Sequence, residues 1–86
     1  MKVRIPSVLY QYTDNQRNVE ASGSTVEEVL NDLDRQFPGI KFRFIDEQDK
    51  IRPHMLIFLN KVNVLDITEN VTEKDELFIT QALSGG

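Results

Sequence analysis

The arrangement with the clearest chemical potential is the end of the chain, Leu83-Ser84-Gly85-Gly86. Glycine has no side chain and tolerates nearly every backbone conformation. A tail closing on two glycines can thread a slot that any Cβ would block. Ser84 and Gly85 would then lie in the channel, with the Gly86 carboxylate at its end. A carboxylate is inert until it is converted to an acyl-adenylate. A sulfur donor can then displace AMP and leave a thiocarboxylate. The chain contains no cysteine, which suits a scheme in which the sulfur rides on the terminus. Two other fates stay open. The activated tail can be joined to lysines, as in a protein modifier, or the glycines can be incidental to an interaction domain.

The other candidate groups are sparse. Without cysteine there is no disulfide framework, thiol nucleophile, zinc knuckle or iron–sulfur site. His54 is the single histidine, so no His pair is available for a metal, and a loop or structural role is expected. Asp46, Glu47 and Asp49 lack the ligand spacing and glycine of a calcium loop and read as a solvated charge run. No metal site and no bound cofactor are expected. Lys and Arg number 10 against 14 Asp and Glu, a net charge of -4. That balance argues against nonspecific nucleic-acid binding, which needs a basic face. Met55–Leu59, the longest apolar run, is far too short to cross a bilayer. No signal-peptide core follows Lys2 and Arg4, so the expected location is the cytoplasm.

The elements that must position the tail follow from periodicity. A chain of 86 residues, 40% hydrophobic and 28% charged, fits one globular domain over residues 1–86 with a flexible Gly-Gly tail. Residues 2–9 begin with strand alternation, Val3 and Ile5 opposite Lys2 and Arg4. Thr13-Asp14-Asn15-Gln16 supplies a turn, and Arg17–Ala21 a second strand. Thr25 and Glu28 form a capping box. Val26, Val29, Leu30, Leu33 and Phe37 then make one helical stripe that stops at Pro38-Gly39. A short second helix is expected over Ile40–Ile45. Strands are expected at Met55–Leu59, Val62–Leu65 and Glu76–Ala82, with an irregular acidic stretch over Asp66–Asp75. The order β-β-α-β-β-β predicts an α+β fold: a mixed sheet with one main helix packed across one face. This is the β-grasp, or ubiquitin-like, arrangement.

In that sheet the last strand lies beside Met55–Leu59. If Ile57, Leu59, Leu77 and Ile79 face the helix, then Leu56, Phe58 and Phe78 face outward. Two outcomes are expected for them: cover by Ile40–Ile45 or the tail, or a partner-docking patch.

The whole chain resembles the ThiS/MoaD family of ubiquitin-like sulfur carriers. The resemblance is carried by Val3-Arg4-Ile5-Pro6, Thr13, Gln16, Val19, Ala21-Ser22-Gly23, Thr25, Val29, Asp32-Leu33 and Gly39-Ile40, which are most similar to the CysO-like branch that serves cysteine biosynthesis. Lys74-Asp75-Glu76 resembles the family's Gly-Asp-Glu turn, with Lys74 in place of the usual glycine. Gln81 and Ala82 stand where proline is common. Gly85-Gly86 matches the functional end. The resemblance implies an E1-like enzyme that adenylates Gly86 with ATP, a sulfurtransferase activity, and an acceptor. The acceptor would be a PLP-dependent cysteine synthase, a molybdopterin synthase large subunit or a thiazole synthase. On the molybdopterin alternative this chain would be the small subunit of that synthase. In each case the chain is a protein cosubstrate and not an enzyme.

Overall fold

The computed structural model describes residues 1–82. The elements run β1 (Lys2–Arg4), a 3₁₀ helix (Ser7–Tyr12), β2 (Asn18–Glu20) and α1 (Val26–Gln36). A second 3₁₀ helix (Lys41–Arg43), β3 (Met55–Leu59), β4 (Val62–Asn63) and β5 (Glu76–Gln81) complete the order. Among the described residues the strands form one mixed sheet in the order β2-β1-β5-β3-β4. Only β1 and β5 run parallel; the other neighbours are antiparallel. With α1 as the main helix, this is the expected β-grasp.

β1 is shorter than the alternation over residues 2–9 suggests. Pro6 has no N–H to continue a ladder. It instead caps a 3₁₀ helix, its carbonyl accepting the Leu9 N–H at 2.9 Å. Leu9 turns into the core. The turn at 13–16 forms as its residues dictate. Asp14 and Asn15 take φ values of 56° and 66°, a region Asn and Asp tolerate best among side-chain-bearing residues. Thr13 is fully buried, and its hydroxyl donates to the Gln16 carbonyl at 2.8 Å.

The Thr25 hydroxyl accepts the Glu28 N–H at 3.2 Å and opens α1. Glu28 reaches back to the Ser24 N–H at 2.8 Å, one residue before the N-cap. The next two orphan donors of the helix find partners in the irregular acidic segment. Val26 N–H bonds the Glu69 carbonyl at 2.9 Å, and Glu27 N–H bonds the Ile67 carbonyl at 2.8 Å. Gly23 must be glycine for packing reasons: a Cβ there would lie 2.6 Å from the Val29 nitrogen. At the other end Asp34 accepts the N–H groups of Gly39 and Lys41, both at 3.1 Å, and Gly39 sits at φ +95°.

Val26, Val29, Leu30 and Leu33 meet Val3, Ile57, Leu77 and Ile79 in the core. The helix expected over Ile40–Ile45 is reduced to one 3₁₀ turn, because Ile40, Phe44 and Ile45 all insert into that core. β4 stops at Asn63, short of Leu65. Val64 donates to the Ile57 carbonyl at 2.7 Å and buries its side chain, leaving Leu65 exposed. β5 ends at Gln81, one residue before the expected Ala82. No helix among the described residues is long and apolar enough to cross a membrane.

Candidate functional site

β3 pairs with β5 along its whole length, Met55 opposite Gln81 through Leu59 opposite Leu77. Side chains alternate across a strand, so partners share a face. Ile57, Leu77 and Ile79 point at α1 and are buried to 0%, 0% and 1% exposure. Leu59 also packs against the core. Leu56, Phe58 and Phe78 fall on the opposite face, half-buried and outside the core. The outward assignment made from the sequence therefore holds. Cover by Ile40–Ile45 does not occur, since that segment packs beside α1 on the inner side.

Phe58 and Phe78 are direct cross-strand partners. Their ring centroids lie 6.4 Å apart, edge to face at 74°. Arg4, the β1 partner of Phe78, lays its guanidinium 5.2 Å from the Phe78 centroid. One row thus crosses the outer face from Arg4 through Phe78 to Phe58 and ends on Asn63 of β4. A guanidinium over an aromatic face keeps its charge available while covering apolar surface. No local pattern singled out Arg4, because its contact depends on the parallel pairing of β1 with β5.

The polar end of this strand pair is locked by side chains. Asn60 donates to Asp75 at 3.0 Å and accepts the Glu76 N–H at 3.1 Å. Asp75 also accepts the Thr72 N–H at 2.8 Å. The Asn60 amide, followed by the Thr72 N–H, holds the Asp75 carboxyl below the usual carboxylate range. This is the work of the Lys74-Asp75-Glu76 step: it fixes the start of β5. Of the acidic residues weighed as a charge run, Asp46 closes a turn. The Lys50 and Gln48 N–H groups bond its carboxylate and hold it below its ordinary range.

The other end of the pair is where the tail leaves. The Ala82 N–H donates to the His54 carbonyl at 2.8 Å. His54 therefore serves through its backbone, and its side chain is exposed. Leu83–Gly86 lie outside the described residues. So do the expected flexibility of the tail, the threading role of Ser84 and Gly85, and the activation of Gly86.

Two kinds of relationship bear on this geometry. The ThiS family model matches residues 3–86. The sulfur carrier protein CysO of Mycobacterium tuberculosis is 30% identical over 89 residues, spanning 98% of this chain and 96% of the relative. Among solved structures, a chain of the BexX/CysO complex of Amycolatopsis orientalis superposes with a TM-score of 0.90 at 32% identity, covering 99% of this chain and 98% of that one. The crystal structure of Mycobacterium tuberculosis CysO gives a TM-score of 0.91 at 29% identity, covering 95% and 98%. Matched over nearly its full length in sequence and in fold, the chain belongs to the ThiS family, with the CysO sulfur carriers among its relatives.

Proposed function

We propose that this chain is a cytoplasmic sulfur carrier whose Gly86 is the loading point, acting in cysteine biosynthesis. The Gly86 carboxylate attacks the α-phosphate of ATP on an E1-like enzyme and releases pyrophosphate. A sulfide-level donor then attacks the acyl carbon. The bond to AMP breaks, and a thiocarboxylate remains. An acceptor enzyme, a PLP-dependent cysteine synthase on this reading, takes the sulfur. The carrier supplies no catalytic group. It contributes a shaped body, a docking face and a tail.

The observation that carries this is the family match running through Gly85-Gly86, together with relatives named as sulfur carriers. The outer face supports it. A short tail loses entropy on ordering and offers few contacts, so affinity must come from the body. Leu56 and Phe58 of β3 and Phe78 of β5 form an apolar patch, and β5 leads into the tail. A partner docked there would find the carboxylate at a set distance and direction.

Incubation with the cognate E1-like enzyme, ATP and sulfide should exchange one terminal oxygen for sulfur, read by intact mass. A chain lacking Gly86 should lose this product. Loading of that shortened chain at the wild-type rate would overturn the assignment of Gly86.

A further inference from the structure

The tail exit has a feature that the sulfur chemistry does not require. A shallow depression beside it is lined by Phe42, Arg43, Arg52 and His54, with no carboxylate among them. Arg52 is held in place there. Its guanidinium stacks 4.5 Å from the Phe42 ring centroid, and its Nε donates to the Phe42 carbonyl at 2.8 Å. Its backbone N–H bonds the Phe44 carbonyl at 3.0 Å. Two residues on, the His54 carbonyl receives the Ala82 N–H. The same short segment therefore anchors the guanidinium and the start of the tail. Among the described residues the ion pairs are Met1–Glu20 and Arg35–Asp32, and neither Arg43 nor Arg52 takes part in one. Phe42 keeps 53% of its surface exposed, so the platform is open to a partner.

We propose that Arg43 and Arg52 form a cationic collar at the tail exit that docks on a carboxylate-lined rim of the slot receiving the tail. The collar has this role only if the chain is a sulfur carrier, as inferred above. Reach decides between a rim and the reacting nucleotide. Four residues, 83–86, span at most about 14 Å when extended. A threaded tail puts its carboxyl at the far end of that span, away from the collar. The guanidinium groups therefore meet the mouth of the slot, not the phosphates at its base. Charge decides the sign of the rim. The chain carries a net charge of -4 and would be repelled by an acidic surface in most orientations. A depression lined by two guanidinium groups and no carboxylate turns that repulsion into orientation, presenting the tail first. Guanidinium forks also pair carboxylates in bidentate fashion, and stacking on Phe42 restricts Arg52 before binding.

The test is the association rate of the full chain with its cognate activating enzyme, at low ionic strength and again at about 1 M salt, where charges are screened beyond about 3 Å. Arg43→Glu should slow association about tenfold at low salt, with the gap closing at high salt. Arg43 makes no side-chain bond within the described fold, so this variant should fold normally. Arg43→Lys should recover most of the rate. Lys74→Glu makes the same charge change at the opposite end of the β3–β5 pair and should alter the rate less than about twofold. Equal slowing by Lys74→Glu, or no slowing by Arg43→Glu, would overturn the collar. So would perturbation of the Arg43 and Arg52 side-chain NMR signals by ATP alone, which would assign the depression to nucleotide. Thiocarboxylate formation is followed in parallel. Wild-type chain that takes no sulfur brings down the carrier reading and the collar with it. Wild-type loading with an unaffected Arg43→Glu brings down the collar alone.

Discussion

The two faces of the β3–β5 pair are built from alternate residues of the same strands, yet they meet different surroundings. Ile57, Leu77 and Ile79 are sealed under α1. Leu56, Phe58 and Phe78, one residue away in each case, stand outside the core with Arg4 laid over Phe78. A strand alternates its side chains with a period of two, so one segment can hold the fold with one set and address a partner with the other. Stability and recognition are thereby separable in adjacent positions, and substitutions on the two faces should fail in different assays.

The largest effect is expected inside. Ile79→Ala removes buried methyl groups and leaves a cavity among Val3, Ile57 and the α1 stripe. It should cost about 2–5 kcal/mol of unfolding free energy, measured by denaturant titration. An equal loss from Phe78→Ala would break the contrast between the faces.

Phe78→Ala should instead weaken partner binding by about 2 kcal/mol, roughly thirtyfold, measured by calorimetry with the activating or acceptor enzyme. Its cost to the fold should stay below that of Ile79→Ala: about 1 kcal/mol from the lost edge-to-face contact with Phe58, added to the loss of its partial burial. Phe58→Ala should follow it in the same direction. Unchanged binding in both variants would remove the docking role from this face.

The smallest effect belongs to the turn that starts β5 and serves neither face. Its hydrogen bonds lower the Asp75 carboxyl below the ordinary value of 3.8. A carboxyl lowered in the folded state contributes stability above its unfolded pKa, and that contribution is lost as pH falls through the folded pKa. The denaturant midpoint of the wild type should therefore drop on acidification from about pH 5 toward pH 2. Asp75→Asn should start from a lower midpoint and fall less steeply. Parallel curves for the two proteins would mean that Asp75 does not report on this turn.

Most of the residues that carry the family resemblance turn out to be architectural. Thr13 closes the turn between β1 and β2, Thr25 caps α1, and Gly23 lets the preceding loop touch the helix. Asp32 accepts the Ser22 N–H at 2.9 Å and pairs with Arg35, tying α1 to the same loop. They mark the family because this backbone needs them, and the proposed function leaves the chemistry to Gly85-Gly86. The expected elements fell short where local pattern met a tertiary demand. β1 gave way at Pro6 and β4 at Val64, and Ile40–Ile45 traded helical regularity for three buried side chains.

The sequence by itself determined what depends on neighbours along the chain: the helix with its cap and stripe, the turn at 13–16, the inward and outward alternation of β3 and β5, and the glycine pair at the end. Those are set by backbone sterics, capping and periodicity over a few residues. Only the tertiary structure decided what stands beside Ala82, the last described residue. The His54 carbonyl reaches Ala82 because antiparallel pairing brings distant strands into register, and Arg43 and Arg52 share a depression with His54, Arg52 stacked on Phe42. Contacts between residues so far apart in sequence are fixed by the closing of the core, and no local pattern encodes them.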